Sequence, residues 1–317
     1  MSIFKVALSL LLLCTFVLIA CQSTSIQSHP ANTVRAPSVS DTSPTDFAGL
    51  HQVVAYVSDI YSGAVPEGDE GFESLKAMGV KTIISVDGAK PQLSKAQKQG
   101  LRYVHLPFGY DGVPRERQLQ IARAVRDLEH PIYIHCHHGK HRSAAGTASA
   151  AVTLGLITVE QAIARMKVSG TSPNYKGLYE TVQSTQPALI SEMDQVSNEF
   201  PEVWQTENMV DAMVAIDVAH DHLKAIQKAH WKVPAEHPDL IPVSEAARLA
   251  DLLRNLKDDE HVHKESEQLR DWFLKASAQV TELETQLLVD QSQAQKLDGL
   301  FKQVTQSCKD CHAVYRN

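Results

Sequence analysis

Short apolar runs alternate with amphipathic segments over the first half of the chain. Runs rich in β-branched residues predict strands at 53–57, 80–86, 101–106 and 131–135. Apolar residues at helical spacing predict helices at 69–78 and 115–128. A short polar helix is expected at 92–99, and further helices are expected at 143–151, 158–167 and 173–182. Strands that alternate with helices predict a parallel sheet with helices on both faces. In such sheets, ligands bind beyond the carboxyl ends of the strands.

The pattern changes near residue 187, where β-rich runs stop and long helical repeats begin. Four apolar stripes follow, at positions 209/213/216/220/223, 246/249/253/256, 269/273/276/280/283/287 and 297/301/304/308/311. Four amphipathic helices with short or medium connections predict a bundle. The predicted fold class is therefore an α/β domain with a parallel sheet at 47–186, followed by an all-α four-helix bundle domain at 187–317.

The chain begins with an apolar run from Phe4 to Ala20 that carries one charged residue, Lys5, near its start. This arrangement is typical of a secretory signal. The alternative is a membrane anchor, because the run is nearly long enough to span a bilayer. Residues 22–46 are mostly Ser, Thr, Gln, Pro and Asn, which predicts a flexible linker.

The end of the apolar run, Leu18-Ile19-Ala20-Cys21, resembles the lipobox of bacterial lipoproteins. The resemblance implies a signal peptide at 1–21, lipid attachment at Cys21 and a membrane partner reached through that lipid. Gln22 follows the cysteine where Asp would signal retention, so the resemblance implies the outer membrane of a Gram-negative cell. We therefore expect an exported, lipid-anchored protein that faces the periplasm.

Composition excludes several classes of protein. With 43% hydrophobic and 21% charged residues, the 317-residue chain is not collagen-like, wholly disordered or a polytopic membrane protein. Its 37 acidic residues outnumber 30 basic ones, for a formal charge of −7, and we expect no nucleic-acid partner.

The most informative segment follows the last predicted strand and reads His135-Cys136-His137-His138-Gly139-Lys140-His141-Arg142-Ser143. A loop between a strand and a helix can point its N–H groups inward as an anion nest, and the N-terminus of the helix adds positive potential. Arg142 can bind phosphate through two parallel hydrogen bonds, and Gly139 permits a backbone conformation that other residues resist. The same field stabilises a thiolate, so Cys136 is the candidate nucleophile and Ser143 can donate to it.

Residues 135–143 match every fixed position of H-C-x-x-G-x-x-R-[S/T]. The loop thus resembles that of the cysteine-dependent protein tyrosine and dual-specificity phosphatases. The resemblance implies a phosphatase-like α/β domain, a phosphoric monoester hydrolase activity and a cysteinyl-phosphate intermediate. It also implies a general acid on the loop after the preceding strand. Asp111 holds that place, and Asp87 is the alternative. The alternative is a loop that has lost catalysis but still binds phosphate.

The remaining loop positions suggest a class of substrate. His137, His138, Lys140 and His141 would surround the phosphate-binding residues Gly139 and Arg142 with one fixed and up to three titratable positive charges. Such a cluster favours a polyanionic phosphorylated substrate, such as an inositol phosphate, a polyphosphorylated headgroup or an acidic phosphopeptide. Phosphoinositide phosphatases are similar in having Lys at the place of Lys140. Alternatively, the histidines only tune the thiolate.

The last helix carries Cys308-Lys309-Asp310-Cys311-His312, the C-x-x-C-H motif that attaches c-type haem. Two thioethers fix the porphyrin, and His312 binds the iron. The alternatives are a redox-active C-x-x-C pair and a zinc half-site completed by His261 and His263.

A haem motif at the end of a fourth helix resembles the cytochrome c′ and c556 group. The resemblance implies covalent haem c and a sixth iron position that is either open or filled by a Met early in the first helix, with Met213 preferred over Met209. Two hypotheses for the whole molecule follow. One is a phosphatase with a fused cytochrome that senses redox state or a gas, or docks a redox partner. The other is an electron-transfer or gas-sensing cytochrome whose α/β domain only binds phosphate.

Overall fold

The structure is a computed structural model that describes residues 35–204, 209–256, 262, 264, 266–289 and 293–315. The predicted signal peptide, Cys21, His261 and His263 lie outside these residues. All of the following refers to the described residues of one compact unit, which begins at residue 33 and continues to the end of the chain. Among the described residues, no helix combines the length and apolar character needed to cross a membrane.

A six-stranded mixed sheet forms the centre of the α/β part, in the order β1-β2-β3-β6-β4-β5. Its strands are β1 (Thr45–Phe47), β2 (Leu50–Val57), β3 (Ile60–Ala64), β4 (Thr82–Ser85), β5 (Arg102–His105) and β6 (Ile132–Cys136). The four strands from β3 to β5 are mutually parallel, whereas β1 and β2 run antiparallel to their neighbours. The predicted parallel sheet is thus confirmed for β4, β5 and β6, whereas the predicted strand 53–57 lies in β2, which is antiparallel to its neighbours. Only two residues join β2 to β3, too few for the crossover that parallel strands require.

Helices cover both faces of this sheet, as predicted. They are α1 (Glu70–Ala77), α2 (Leu93–Lys98), α3 (Arg115–Asp127), α4 (Arg142–Thr153), α5 (Val159–Val168), α6 (Lys176–Ser184) and α7 (Ile190–Met193). Successive strand residues point to opposite faces. Val53 and Ala55 join a hydrophobic cluster with α1 and α2, whereas Val54 and Tyr56 join one with α3 to α6.

Four long helices follow: α8 (Met209–Lys228), α9 (Pro242–Leu256), α10 (Glu267–Val289) and α11 (Ala294–Tyr315). Helix α10 packs on α9 and α11, and α8 packs on α9. The six predicted stripe residues of α10 are all buried. However, the buried residues of these helices continue the hydrophobic cluster of α3 to α6, and Tyr175 of the α/β part donates a hydrogen bond to Glu284 of α10. The helical segment is thus present as predicted, but a separate four-helix bundle domain is not confirmed.

Candidate active site

Strand β6 delivers Cys136 to the middle of the sheet's carboxyl edge. All five residues of β6 are buried, and Cys136 lies beside Ala64 of β3 while His135 lies beside Ser85 of β4. Helix α4 begins at Arg142 and is buried along its whole length. The predicted order of strand, loop and helix is confirmed, with the helix starting one residue earlier than expected.

Gly139 lets the loop curl against the end of β3. Its φ of +71° lies in the left-handed region that glycine tolerates best. A Cβ at this position would overlap the backbone of Gly63 and Ala64. The N–H of Val65 also donates to the carbonyl of His137 at 3.4 Å. The loop can therefore keep this curvature only with glycine at position 139.

Cys136 and Ser143 come together as predicted. The thiol of Cys136, 3% exposed, donates a hydrogen bond to Ser143 Oγ over 3.3 Å. Ser143 lies in the first turn of α4, where free backbone N–H groups favour negative charge. If Cys136 becomes a thiolate, the hydroxyl can turn and donate to it instead.

Arg142 is held by two carboxylates. Its Nη2 atom lies 3.1 Å from Asp87 Oδ2 and 2.6 Å from Asp251 Oδ2. The ring of Tyr110 lies 4.3 Å from Cζ, a distance typical of a cation–π contact. The guanidinium is thus placed at the predicted loop, but in this conformation its charge is balanced by protein side chains.

Asp87 ties the loop to the arginine. Its Oδ2 accepts a hydrogen bond from the backbone N–H of His137 at 2.6 Å, and its Oδ1 accepts one from Ala89 at 2.8 Å. Burial alone would raise the pKa of this carboxyl, but the charges of Arg142 and Arg254 outweigh burial and hold the pKa well below its usual range. Asp87 therefore stays ionised at neutral pH and positions the loop, which argues against it as the alternative general acid.

Asp111 lies beside the site without entering it. The residue is exposed in the segment between β5 and α3. Its neighbour Tyr110 stacks on Tyr175, with ring centroids 5.2 Å apart, and also contacts Arg142. The backbone at position 111 is therefore anchored near the arginine, although the structure does not bring its carboxylate to Cys136.

The histidines of the loop do not form the expected ring of charge. Burial lowers the pKa of His137 to about 3, of His138 to about 4 and of His141 to about 3, so all three are neutral at pH 7. The prediction of up to three titratable positive charges was thus wrong for neutral pH. The exposed Lys140 and the buried Arg142 remain the charged positions of the loop.

Two site residues, Asp251 and Arg254, were missed by sequence reasoning. They lie on α9, where Arg254 pairs with Asp251 and its Nη2 comes within 3.6 Å of Asp87 Oδ1. Their spacing of three residues is that of any ion pair on a helix surface. No signal in the sequence shows that they meet a loop more than 100 residues upstream.

The residues of the haem motif lie on the last turns of α11. Cys308 and Cys311 are free thiols that are partly buried, as is His312. Burial and, to a smaller extent, the nearby thiol of Cys308 raise the pKa of Cys311 to about 11. Two free thiols one turn apart beside an imidazole form a donor set that fits covalent haem.

Helix α8 runs antiparallel to α11. His220 Nε2 lies 3.0 Å from Thr305 Oγ1, and two turns further along α8 the side chain of Gln227 donates to Asp298 Oδ1 at 2.8 Å. Met213 lies two turns before His220 on α8, and His312 lies two turns after Thr305 on α11. Because the two helices are antiparallel, Met213 and His312 lie at the same height along the pair. No group of three or more His, Cys, Asp or Glu side chains in the described part of the chain could hold a metal ion, so the zinc hypothesis gains no support there.

Comparisons with known proteins give structural likeness only. No protein-family model matches the chain. No curated protein matches it either. Among solved structures, TpbA of P. aeruginosa is 18% identical, with a TM-score of 0.38 over 46% of this chain and 94% of that one. A putative phosphatase (DUF442) from Shewanella putrefaciens CN-32 is 17% identical, with a TM-score of 0.36 over 44% and 95% of the two chains.

A third solved structure is the core catalytic domain of the PP-IP phosphatase Siw14 from S. cerevisiae. It is 17% identical, with a TM-score of 0.33 over 52% of this chain and 90% of that one. At these identities and scores, the likenesses assign neither a family nor an activity to this chain.

The buried histidines predict a loss of stability in acid. Burial lowers the pKa of His135 to about 4 and of His141 to about 3, below the ordinary value of about 6.5 in an unfolded chain. Between these values the unfolded chain binds protons that the folded chain does not, so the free energy of unfolding falls as the pH decreases. Each such histidine contributes a slope of about 1.4 kcal/mol per pH unit.

Glu284 has the opposite effect on stability. Burial raises its pKa to about 7, so the folded chain takes up this proton at a higher pH than the unfolded chain and is stabilised as the pH decreases. Denaturant unfolding at pH 7, 6 and 5 measures the balance, and we expect stability to fall. His141→Gln should reduce the slope, while the same change at the half-exposed His51 should not. Stability that stays level over this range would contradict the neutral, buried histidines.

Proposed function

We propose that this chain hydrolyses phosphate monoesters through a cysteinyl-phosphate intermediate. One observation carries the proposal: the loop between β6 and α4 holds the thiol of Cys136 against Ser143, with Arg142 on the first turn of α4. A nucleophile, a helix N-terminus and a guanidinium that converge at the carboxyl edge of parallel strands form a phosphoryl-transfer site.

The proposed reaction has two steps. The Cys136 thiolate attacks phosphorus, a P–S bond forms as the P–O bond to the alcohol breaks, and Asp111 gives its proton to the leaving oxygen. Asp111 then accepts a proton from water, which attacks phosphorus and releases inorganic phosphate while Ser143 donates to the departing thiolate. Arg142 and the loop N–H groups bind the phosphoryl oxygens in both steps.

The proposed substrate is a phosphorylated molecule with more than one negative group. At neutral pH the fixed charge of Lys140 supports this assignment better than the histidines do. A cavity of about 420 Å³ beside the loop is lined by Lys90, Arg254 and His137, among other residues, and offers room for further anionic groups. The substrate class thus includes inositol phosphates, polyphosphorylated headgroups and acidic phosphopeptides.

A panel of phosphate esters tests the activity. The full chain in detergent should hydrolyse at least one of an aryl phosphate, a phosphopeptide and an inositol phosphate, and Cys136→Ser should lower turnover by about 10³-fold or more. Asp111→Asn should lower kcat by about 10²-fold on alkyl esters and much less on aryl esters, whose leaving groups need little protonation.

The matched control for the second variant is Asp127→Asn, on the surface of α3, which should leave turnover unchanged. Turnover that survives Cys136→Ser would sink the proposed nucleophile. An equal loss on both ester types in Asp111→Asn would show that Asp111 does not protonate the leaving group.

We further propose that α11 carries covalent haem c, bound through Cys308 and Cys311 with His312 as an iron ligand and Met213 in the sixth position. The free thiols and the register of α8 support this assignment. When bound, the haem would supply one-electron chemistry or gas binding. Export and anchoring through a lipid on Cys21 belong to the same proposal, because c-type attachment occurs outside the cytoplasm, and a redox partner would then meet the chain there.

A second function is an electron-transfer or gas-sensing cytochrome whose α/β part only binds phosphate. The pairing of Arg142 with two carboxylates favours it, since the arginine is not free for substrate in this conformation. Phosphate binding without any ester turnover in freshly reduced, haem-loaded protein would select this second function.

A further inference from the structure

Helix α9 places a carboxylate on the arginine that phosphate requires. Asp251 Oδ2 lies 2.6 Å from Arg142 Nη2, and the arginine side chain is only 2% exposed. A phosphate ester would use the N–H groups of the same guanidinium, preferably two of them at once. The carboxylate of Asp251 therefore competes directly with a phosphate for Arg142.

The contact belongs to a continuous line along α9. One turn after Asp251, Arg254 approaches Asp87. The next residue, Asn255, lies so close to Gly88 that a Cβ at position 88 would overlap its side chain. Helix α9 thus runs past the arginine to the loop after β4.

The charges around Arg142 make its contact with Asp251 incompatible with a bound phosphate. The cluster contains the two arginines Arg142 and Arg254 and the two carboxylates Asp87 and Asp251, all with side chains at most 11% exposed. These four charges cancel. A phosphate dianion added to the closed cluster would be a buried, uncompensated charge, which is strongly unfavourable. Removing the charge of Asp251 leaves the cluster with a net charge of +1, which offsets one of the two negative charges of the phosphate dianion.

We propose that α9 is an autoinhibitory element whose Asp251 occupies Arg142 in place of phosphate and has to be displaced before substrate binds. The inference rests on the proposed function, because it concerns the regulation of the same site. The apparent affinity for phosphate is then reduced by the fraction of molecules in which α9 is displaced. A site that is open in one molecule of a hundred binds with an apparent affinity about 100-fold weaker.

Asp251→Asn tests the proposal, because it removes the charge and keeps the size of the side chain. In the full chain, inorganic phosphate titrated by calorimetry should bind the variant about tenfold more tightly or better than the wild type. The KM for an aryl phosphate should fall by a similar factor without a decrease in kcat. Asp298→Asn, the same change at a contact between α8 and α11, should leave both values unchanged.

The outcomes separate this inference from the proposed activity. Tighter phosphate binding in Asp251→Asn without turnover in any form supports autoinhibition and contradicts the hydrolase. Turnover in the wild type, together with unchanged phosphate affinity in the variant, overturns autoinhibition and leaves the hydrolase standing. A fall in kcat at constant KM also overturns it, since Asp251 would then act in the chemistry.

If Asp251→Asn does not fold, hydrogen exchange on the wild-type chain tests whether α9 is displaced by phosphate. Saturating inorganic phosphate should speed exchange of the amides at 245–256, because α9 has to leave Arg142, while the amides of the phosphate-binding loop should become protected. Exchange in α9 that is unchanged or slower at saturating phosphate would overturn the proposal.

Discussion

Replacing Arg142 by methionine is expected to abolish ester turnover and to destabilise the fold. The variant leaves the carboxylates of Asp87 and Asp251 buried with Arg254 as their main positive partner. Removing one member of a buried ion pair costs about 3–5 kcal/mol, because the remaining charge is uncompensated. Turnover should fall by about 10³-fold or more, since the phosphate loses its guanidinium donors.

Denaturant unfolding and steady-state kinetics measure the two effects. Arg142→Lys keeps the charge and should recover most of the stability, but little of the turnover, because an ammonium group lacks the planar pair of donors. The control Arg115→Met removes a half-exposed pair with Glu192 and should change stability by less than about 1 kcal/mol. An Arg142→Met variant as stable as the wild type would contradict the buried cluster described here.

Replacing both Cys308 and Cys311 by alanine is expected to eliminate covalent haem completely. Each thiol would supply one of the two thioether bonds, and neither has another bonding partner among the described residues. The chain would be produced in a bacterial host that attaches c-type haem, and covalent haem would be measured after denaturation. Haem that remains covalently attached to the double variant would contradict the assignment, as would a wild-type chain that acquires none.

Two matched variants test the proposed ligand at the sixth iron position. Met213→Leu should change the absorption spectrum of the haem-loaded chain, because a thioether ligand is lost while the side-chain volume is nearly kept. Met209→Leu, one turn earlier on the same helix, should not. A spectrum altered only by the second variant would move the ligand to Met209.

Local patterns predicted the parts of the fold that depend on nearby residues. Runs such as 80–86 and 131–135 became β4 and β6, because β-branched side chains suit a buried pleated surface. The loop could also be predicted from nearby residues, since its cysteine, glycine and arginine all lie within the nine residues from His135 to Ser143. The short hairpin strands β1 and β3 lack such a signal, because β1 has only three residues and β3 contains Ser62 and Gly63.

The rest of the site depends on contacts between distant segments. Asp251 meets Arg142 only because α9 packs over the loop, and nothing in the spacing of either segment states this. The charge of the loop histidines was wrong for a related reason. A sequence shows that His137 and His138 can titrate, but their burial and the nearby charge of Arg254 keep them neutral. Burial is a property of the assembled molecule.

The central claim is that Cys136 carries the phosphoryl group during turnover. The full chain would be mixed with an aryl phosphate, quenched within the first turnovers in denaturant at mildly alkaline pH, where P–S and P–N bonds survive, and digested at that pH. The peptides from residues 135–143 would be analysed by mass spectrometry. We expect one phosphoryl group on the peptide that contains Cys136, and none on that peptide in Cys136→Ser. Ester turnover with the phosphoryl group on a loop histidine, or on no residue of the chain, would contradict it.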